Sequence, residues 1–219
     1  MLKGQRVTTL TEVMDIVDKP LQAIWNDQIL KELKFPDKLK LADITPLHKK
    51  LETVLKENYR PVSVLAVVSK IFERIMDKQT DAYMEKYLSK FICGYRKRHG
   101  PQHALQYMIE QWKKSLDNKG YAGGVLMDLS KAFDTINHKL LIAKLDAYGF
   151  DIPALEIIYD YLSNRFQRTK INSSFSSWSL MLSGMPQGSV NGPKWFNYYI
   201  NDMFFQSLPS PCLPSRKAL

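Results

Sequence analysis

The sequence predicts an α+β fold, because segments with helical periodicity alternate with a few runs of extended character. Six segments carry helix signals. Tyr121–Leu129 is almost wholly apolar, as in a strand that is covered on both faces. Phe166–Asn172 and Phe175–Leu182 are joined by Ser173-Ser174 and predict an antiparallel hairpin. With 219 residues, 45% of them hydrophobic, the chain can form one large domain or two small lobes.

The N-terminal third is expected to hold two amphipathic helices separated by an extended segment. Pro20 is a helix-start signal, and the first helix should stop at Phe35-Pro36. Its apolar residues are Leu21, Ile24, Trp25, Ile29 and Leu33. Leu39–Leu47 is predicted to be extended, and Lys49–Asn58 to be a polar connection. The second helix runs toward Leu88, and its apolar repeat is formed by Val67, Val68, Ile71, Phe72, Ile75 and Met76.

A basic turn with two glycines, Cys93–Gly100, separates the second helix from a third. The third helix opens with Pro101, a residue that suits the first helical position. Its apolar face is formed by Leu105, Met108, Ile109, Trp112 and Leu116. The apolar strand described above follows it after a short turn.

Two helices follow that strand. The fourth is predicted over Asn137–Tyr148, with a side-chain cap from Asn137 or Asp134 and an end at Gly149. The fifth follows Pro153. The hairpin comes next, and we find no internal repeat in the chain.

The C-terminal part is expected to contain one more helix and an irregular tail. The Gly184–Pro193 turn leads into the sixth helix, Lys194–Phe205. Beyond it, Leu208–Ser215 holds three prolines without periodicity, which is typical of an irregular segment.

The charge balance favours a polyanionic partner such as nucleic acid. Lys and Arg outnumber Asp and Glu by 31 to 22, which gives a net charge of +9 and a pI near 9.4. A solvated basic surface is the alternative explanation. The two cysteines, Cys93 and Cys212, indicate neither a disulfide scaffold nor a zinc site. No apolar run approaches the ~18 residues that would span a bilayer, so no membrane partner is expected.

Asp128 is the first candidate for chemistry, because it stands near the end of the predicted strand, where a carboxylate can hold a divalent metal. The alternative is that it caps the strand end or pairs with Lys131. Asp134 stands where a helix begins, so an N-cap role is favoured over metal binding. Asp202 is expected in a surface or capping role, and no Asp or Glu follows it. The four histidines show no ligand spacing.

Phe133 and the turn around Gln187-Gly188 are candidates for a nucleotide site. An aromatic ring beside a ribose would collide with a 2′ hydroxyl and so favour deoxynucleotides, although core packing is the commoner role for a Phe. Pro186-Gln187-Gly188 forms a constrained turn with a neutral donor and acceptor, and the alternative is an ordinary loop.

Arg96, Lys97 and Arg98 form a basic cluster between two glycines. Guanidinium groups match phosphate oxygens in a fork geometry. The alternative is a charged surface turn.

Six blocks of sequence, in order, resemble the reverse transcriptase domain of non-LTR, LINE-type retrotransposons, and together they are far more specific than any single motif. The blocks are Lys40–Lys49, Asn58–Ser63, Ser69–Arg74, Gly94–Lys97, Asp128–Asp134, and Gly184–Ser189 with Phe196-Asn197 and Ile200–Asp202. They cover roughly residues 33–205.

The resemblance implies a right-hand polymerase, with helical fingers and a partial palm that contains an antiparallel sheet. It implies fingers over residues 1–119, a palm over 120–205 and an irregular tail over 206–219. By motif match, Asp128 would be the first metal-binding and catalytic aspartate, and Phe133 the steric gate. Arg96 would reach the triphosphate, and Gln187 and Gly188 would line the nucleotide and template pocket. The implied cofactor is Mg²⁺ or Mn²⁺, and the implied partners are an RNA template, a DNA primer and dNTP.

Two departures from the family pattern affect what is expected. Asn191 and Lys194-Trp195 replace the apolar residues usual in that block, which is expected to affect how the following helix packs. The aromatic-Ala-Asp-Asp hairpin that should follow Asp202 is missing. We therefore expect a truncated domain that lacks the second metal site and is inactive as an isolated chain. The alternatives are a nucleic-acid-binding remnant without catalysis and a retrotransposon fragment without function.

Overall fold

The computed structural model describes residues 29–49 and 52–204, and it contains helices and a mixed sheet. The α+β class is therefore confirmed. The helices are α1 (Val67–Met84), α2 (Pro101–Asp117), α3 (His138–Ala147), α4 (Ile152–Leu162) and α5 (Gly192–Ile200). The strands are β1 (Leu41–His48), β2 (Tyr59–Val64), β3 (Phe166–Ile171), β4 (Ser174–Phe175) and β5 (Ser179–Leu180). Most of the first predicted helix and the tail over 206–219 lie outside the described residues.

Shorter helical segments complete this part of the chain. Leu30–Glu32 is the described end of the first predicted helix, and it closes at Leu33, which has a φ of 51°. Short 3₁₀ turns are formed by Asp37–Leu39, Lys56–Asn58 and Asn201–Phe204. The sixth predicted helix is thus α5 followed by the last of these turns. Among the described residues, no helix combines the length and the apolar character that crossing a bilayer requires.

The sheet has the strand order β2-β1-β3-β4, with β5 also paired to β3. Most pairs are antiparallel, as the sequence predicts, but β1 and β3 are parallel. Four helices lie between β1 and β3, and a parallel pair requires such a long crossover. The hairpin turn is formed by Asn172-Ser173, one residue earlier than predicted, and Asn172 takes a φ of 53°. Asn tolerates this left-handed conformation better than most residues.

The predicted strand over Tyr121–Leu129 is wrong. The segment has no regular structure, and its side chains are exposed, including Tyr121 at 100% and Leu126 at 97%. A strand needs a neighbour to satisfy its backbone groups, and no other strand among the described residues pairs with this segment. The Ser115 hydroxyl donates to the Tyr121 carbonyl at 2.8 Å, so the segment starts against the end of α2. Apolar composition alone therefore did not produce a strand here.

Helix α2 forms over the predicted residues, but its apolar face is not buried. No residue of α2 is buried, and Leu105, Ile109 and Leu116 are 52%, 45% and 60% exposed. The predicted helix is therefore confirmed, but its apolar face is not buried, as the apolar face of an amphipathic helix usually is.

The core lies among α1, α3, α4 and α5. Leu141, Leu145 and Leu162 are fully buried in it, and Trp195 is 1% exposed. Tyr161 and Trp195 pack edge to face with ring centroids 5.4 Å apart. Of the departures noted in the sequence, Trp195 is accommodated because it fills the core. Asn191 is not, because it is 1% exposed and its side-chain oxygen and nitrogen have no hydrogen-bond partner among the described residues.

Local signals explain where these helices begin and end. The Asn137 side chain accepts a hydrogen bond from the Leu140 amide at 3.1 Å, which makes Asn137, and not Asp134, the cap of α3. Asp151 caps α4 in the same way. Gly149 follows α3 with a φ of 88°, as predicted for a helix end.

Lys194, at the start of α5, binds two carboxylates of α1. Its Nζ lies 2.7 Å from Asp77 and 2.9 Å from Asp81. Burial alone would lower the pKa of Lys194, but the two carboxylates outweigh that effect and raise it. The charged residue therefore joins α5 to α1, because its ammonium group has partners.

Candidate active site

Two loops pack against each other at the centre of the candidate site: residues 133–137, before α3, and residues 183–188, before α5. The Met185 amide donates to the Phe133 carbonyl at 2.9 Å, and the Gly184 amide donates to the Ile136 carbonyl at 2.8 Å. Backbone hydrogen bonds therefore fix the end of the Asp128–Asp134 motif against the start of the Pro-Gln-Gly turn.

Gly184 is required for this approach. A Cβ atom at this position would lie 2.7 Å from the Cα and carbonyl oxygen of Asp134, and Gly184 has a φ of 81°. Both the space and the backbone conformation exclude a side chain. His138 Nε2 lies 2.7 Å from the Gly184 carbonyl oxygen, which adds a side-chain contact to the same junction.

Gln187 connects this junction to the sheet. Its side-chain Nε2 donates to Asp134 Oδ1 at 2.9 Å. Its backbone carbonyl oxygen accepts from the Ser63 amide of β2 at 2.7 Å. Gly188 has a φ of 108°, and a Cβ there would lie 3.1 Å from the Ser63 carbonyl oxygen. The turn is thus held at both ends, and the neutral Gln side chain has a partner within the protein.

A cleft of about 340 Å³ lies between this turn and one face of the sheet. Its lining includes Asp134 and Gln187 from the two loops and Ile44, Ser63 and Gln167 from the sheet. Another depression, of about 320 Å³, lies near Phe35 and Asp160 and contains none of the predicted site residues.

Phe133 is half-buried in a small aromatic cluster. Its ring centroid lies 4.9 Å from that of Phe196 in α5 and 6.2 Å from that of Tyr95. The structure therefore brings Phe133, Gln187 and Gly188 into one region, and Phe133 also packs as an ordinary aromatic residue would.

Arg96 follows Tyr95 in the chain, but its guanidinium is bound within the protein. Nε donates to both carboxylate oxygens of Glu85 at 3.0 and 3.2 Å, and Nη1 donates to the Ser89 carbonyl at 2.9 Å. The side chain is 9% exposed. In this conformation the guanidinium holds the turn after α1 together.

Asp128 is exposed and lies in the segment without regular structure. The resemblance implies a divalent metal, and a pair of such ions needs several carboxylates. Among residues 29–49 and 52–204, no group of three His, Cys, Asp or Glu side chains is arranged to hold an ion. Asp134 binds Gln187, and Asp202 binds Lys144 at 2.7 Å as a surface pair. The donor set in this part of the chain does not fit the metal centre that the family uses.

Glu73 of α1 is a site residue that the sequence analysis missed. It is fully buried, and its Oε2 accepts from the Val190 amide at 2.6 Å. Its Oε1 accepts from the Tyr161 hydroxyl at 2.9 Å and from the Ser69 hydroxyl at 3.3 Å. Burial raises the pKa of the Glu73 carboxyl, against the opposing effects of these hydrogen bonds and of the Arg165 charge. The available signal was a carboxylate four residues after Ser69, next to the apolar Phe72.

Comparison with known proteins gives a family match and several relatives. Residues 47–211 match the sequence model of the family described as "Reverse transcriptase (RNA-dependent DNA polymerase)". The chain is 30% identical over 186 residues to the "Probable RNA-directed DNA polymerase from transposon BS" of Drosophila melanogaster, an alignment that covers 84% of this chain and 20% of that protein. It is also 30% identical over 191 residues to the "RNA-directed DNA polymerase from mobile element jockey" of the same organism, covering 85% and 21%.

The "Probable RNA-directed DNA polymerase from transposon X-element" of Drosophila melanogaster is a further relative, 30% identical over 172 residues, or 77% of this chain and 19% of that protein. The chain thus spans about a fifth of the length of the curated relatives that it matches.

Proposed function

Since this chain belongs to the reverse transcriptase family, of the type that LINE-type retrotransposons carry, we propose that it supplies the part of an RNA-directed DNA polymerase that positions template and nucleotide. The ancestral reaction is transfer of a dNTP to a primer 3′ end on an RNA template. The observation that carries the proposal is the bonding of Gln187 to both Asp134 and Ser63, because it joins three of the family's motif blocks at one cleft.

In this proposal each residue near the junction has a separate task. The Phe133 ring excludes a 2′ hydroxyl by steric contact. The turn at Gln187 and Gly188 shapes the wall against which a base pair rests, since the turn is anchored at both ends. These tasks need fixed geometry rather than charge, and both loops are fixed by backbone hydrogen bonds.

Arg96 has a further role in the proposal, as a ligand of the triphosphate. It would have to exchange the Glu85 carboxylate for phosphate oxygens, a change between two anionic partners of similar geometry. Competition with Glu85 weakens nucleotide binding while the turn is in its present conformation.

The right-hand arrangement belongs to the same proposal. The resemblance divides the chain at residue 119, with fingers before it and a partial palm after it, but the sheet crosses this division. β1 lies before residue 119 and β3 lies after it, yet the two strands pair. The boundary is therefore one of sequence rather than of folding units.

Catalysis by the 219-residue polypeptide alone is not part of the proposal. No group of three metal-ligating side chains is found among the described residues, so the metal-dependent step has no complete site there. We propose that this polypeptide binds template and primer without extending the primer.

The test combines binding with primer extension on the purified polypeptide. We expect an RNA template annealed to a DNA primer to bind with strong salt dependence, and we expect no templated incorporation with Mg²⁺ or Mn²⁺ above that of a heat-denatured sample. Templated incorporation would contradict the inactivity, and absence of binding would contradict the function as a whole.

A remnant that only binds nucleic acid is the second candidate, favoured by the engagement of the Arg96 guanidinium with Glu85. The same binding experiment separates it from the first. A template-positioning domain is expected to bind dNTP more tightly when template and primer are present, whereas a simple binder shows no such coupling.

A further inference from the structure

One face of the sheet is open. Side chains alternate between the two faces of a strand, and partners in register share a face. Leu41 pairs with Phe166, and Phe166 pairs with Leu180. Leu41 and Phe166 are 42% and 40% exposed, whereas Leu180, at the edge of the sheet, also lines the cleft. The opposite face, which includes Ile44 and Gln167, lines the cleft described above. The sheet therefore has a second surface that the proposed function does not use.

A cation–aromatic cluster lies on this open face. The Arg168 guanidinium carbon lies 3.9 Å from the centroid of the Phe175 ring and 4.5 Å from that of Trp178. Its Nε donates to Asp43 Oδ1 at 2.7 Å, which fixes the guanidinium between the rings. Lys170 Nζ lies 5.5 Å from the Phe175 centroid. The two rings remain 46% and 43% exposed, so each still offers contact area to a partner.

The chemistry of this face is that of a surface for single-stranded nucleic acid. Exposed aromatic rings stack with bases, and neighbouring cations bind the phosphates. Arg60, which pairs with Leu47 in the sheet, lies on the same face as Asp43 and Arg168, two strands from Lys170. Three cations thus share the face with Asp43, whose carboxylate is already paired with Arg168. A polyanion complements this positive charge, and the exposed rings add the stacking contacts that bases can make.

We propose that the Arg168–Phe175–Trp178 cluster is a stacking platform for single-stranded RNA, separate from the cleft at Gln187. The inference rests on the proposed function for the identity of the nucleic acid, since an RNA template has a single-stranded portion. Phe175 and Trp178 contact bases, and Lys170 contacts a neighbouring phosphate. Arg168 holds the two rings in place.

The experiment measures binding of the full 219-residue chain to a fluorescein-labelled 12-nucleotide single-stranded RNA by fluorescence anisotropy. Trp178→Ala is expected to raise the dissociation constant by roughly 5- to 100-fold, the range for loss of a base–aromatic contact. Trp112→Ala is the matched control, because Trp112 is also partly exposed, at 36%, but lies on α2. The control is expected to bind within about twofold of wild type, as surface substitutions away from a site do.

A second probe separates stacking from charge. Inorganic polyphosphate carries negative charge without bases, so Trp178→Ala is expected to leave its affinity unchanged. Lys170→Ala is expected to weaken both probes and to reduce the salt slope for RNA by about 0.7, the value for one phosphate contact on a single strand.

The outcomes distinguish the two proposals. If Trp178→Ala binds RNA as tightly as wild type while template–primer binding persists, the platform is wrong and the proposed function stands. If wild type binds neither probe nor template–primer, both are wrong. If Trp178→Ala instead dissociates a dimer in sedimentation without affecting RNA affinity, the face is a protein interface and the platform is overturned.

Discussion

Glu73 shows how one buried side chain can organise a distant loop. Its carboxylate joins α1 to Tyr161 of α4 and to the Val190 amide in the turn before α5. A buried carboxylate is stable only when its oxygens have partners, and removing the partners or the charge leaves the remaining polar groups unsatisfied. The position of the Pro-Gln-Gly turn therefore depends on a residue that is not itself part of the cleft lining.

Replacing Glu73 tests this dependence. Glu73→Leu is expected to lower the free energy of unfolding by about 3 kcal/mol, because Val190, Tyr161 and Arg165 lose their buried acceptor or counter-charge. Glu73→Gln is expected to cost about 1 kcal/mol or less, since its oxygen can accept from Val190 and its amide can donate to the two hydroxyls. Urea denaturation measures both. A Gln variant as unstable as the Leu variant would contradict the hydrogen-bond explanation.

The same residue predicts a pH dependence. Burial raises the pKa of Glu73 above its ordinary value of 4.5, so the folded state binds the proton more tightly than the unfolded state does. This contribution to stability is complete below pH 4.5 and is lost as the pH rises through the raised pKa. The unfolding free energy of Glu73→Gln relative to wild type should therefore rise as the pH increases from 4.5 through the raised pKa of Glu73, and should then level off. Glu57→Gln, the same substitution at an exposed position, is the control.

Gly184 also fixes the position of the turn before α5, through its backbone rather than through a side chain. Gly184→Ala is expected to lower the free energy of unfolding by about 2–4 kcal/mol, since the added methyl would overlap Asp134 and the φ of 81° is unfavourable for Ala. Gly94→Ala is the matched control, because no atom lies within 4 Å of its added Cβ. Thermal denaturation of the two variants measures the difference, and equal stability would contradict the close approach of the two loops.

Helices were predicted well because their signals are local. Periodic apolar residues, Pro near the first turn and the caps at Asn137 and Gly149 all act within a few residues. The strand predicted over Tyr121–Leu129 failed because strand formation depends on a partner elsewhere in the chain. The contacts of Gln187 with Asp134 and Ser63 likewise involve residues that are distant in sequence. The sequence therefore indicates Gln187 as a candidate site residue but does not predict its partners.

The exposed segment and α2 give a prediction for hydrogen exchange. Amides of residues 121–129 are expected to exchange at nearly the rate of an unfolded peptide, because none of them belongs to a strand or helix. Amides of α3 and α4 are expected to be strongly protected, since their buried leucines lie in the core. Hydrogen exchange measured by mass spectrometry on peptides from both regions tests this difference in protection. Protection of residues 121–129 equal to that of α4 would contradict the described conformation.

In the whole molecule, the N-terminal part is joined to the C-terminal part through more than the sheet. The Phe35 amide donates to Asp160 Oδ2 at 2.6 Å, and Lys40 Nζ lies 2.9 Å from the same oxygen. Together with the pairing of β1 and β3, these contacts cross the boundary at residue 119. A fragment that begins at residue 120 would lack β1, so any functional test has to include both parts.

A chimera that respects this requirement gives the last prediction. Residues 35–204 would replace the matching segment of the polymerase from transposon BS, with which this chain shares 30% identity. We expect templated DNA synthesis above that of a heat-denatured chimera. Asp128→Asn is expected to abolish it, because the family resemblance implies that Asp128 is a metal ligand and an amide cannot replace a carboxylate as a ligand of a hard divalent cation.

In the same chimera, Phe133→Ala is expected to reduce discrimination against ribonucleotides by roughly 10- to 100-fold, since removing the ring removes the steric contact rather than an attractive one. Phe196→Ala is the matched control, because Phe196 packs on Phe133 at 4.9 Å and its loss disturbs the same cluster while leaving the gate ring in place. Primer extension with dNTP and with rNTP in separate reactions measures the ratio. Equal loss of discrimination in both variants would mean that Phe133 acts through packing alone, and the steric assignment would be wrong.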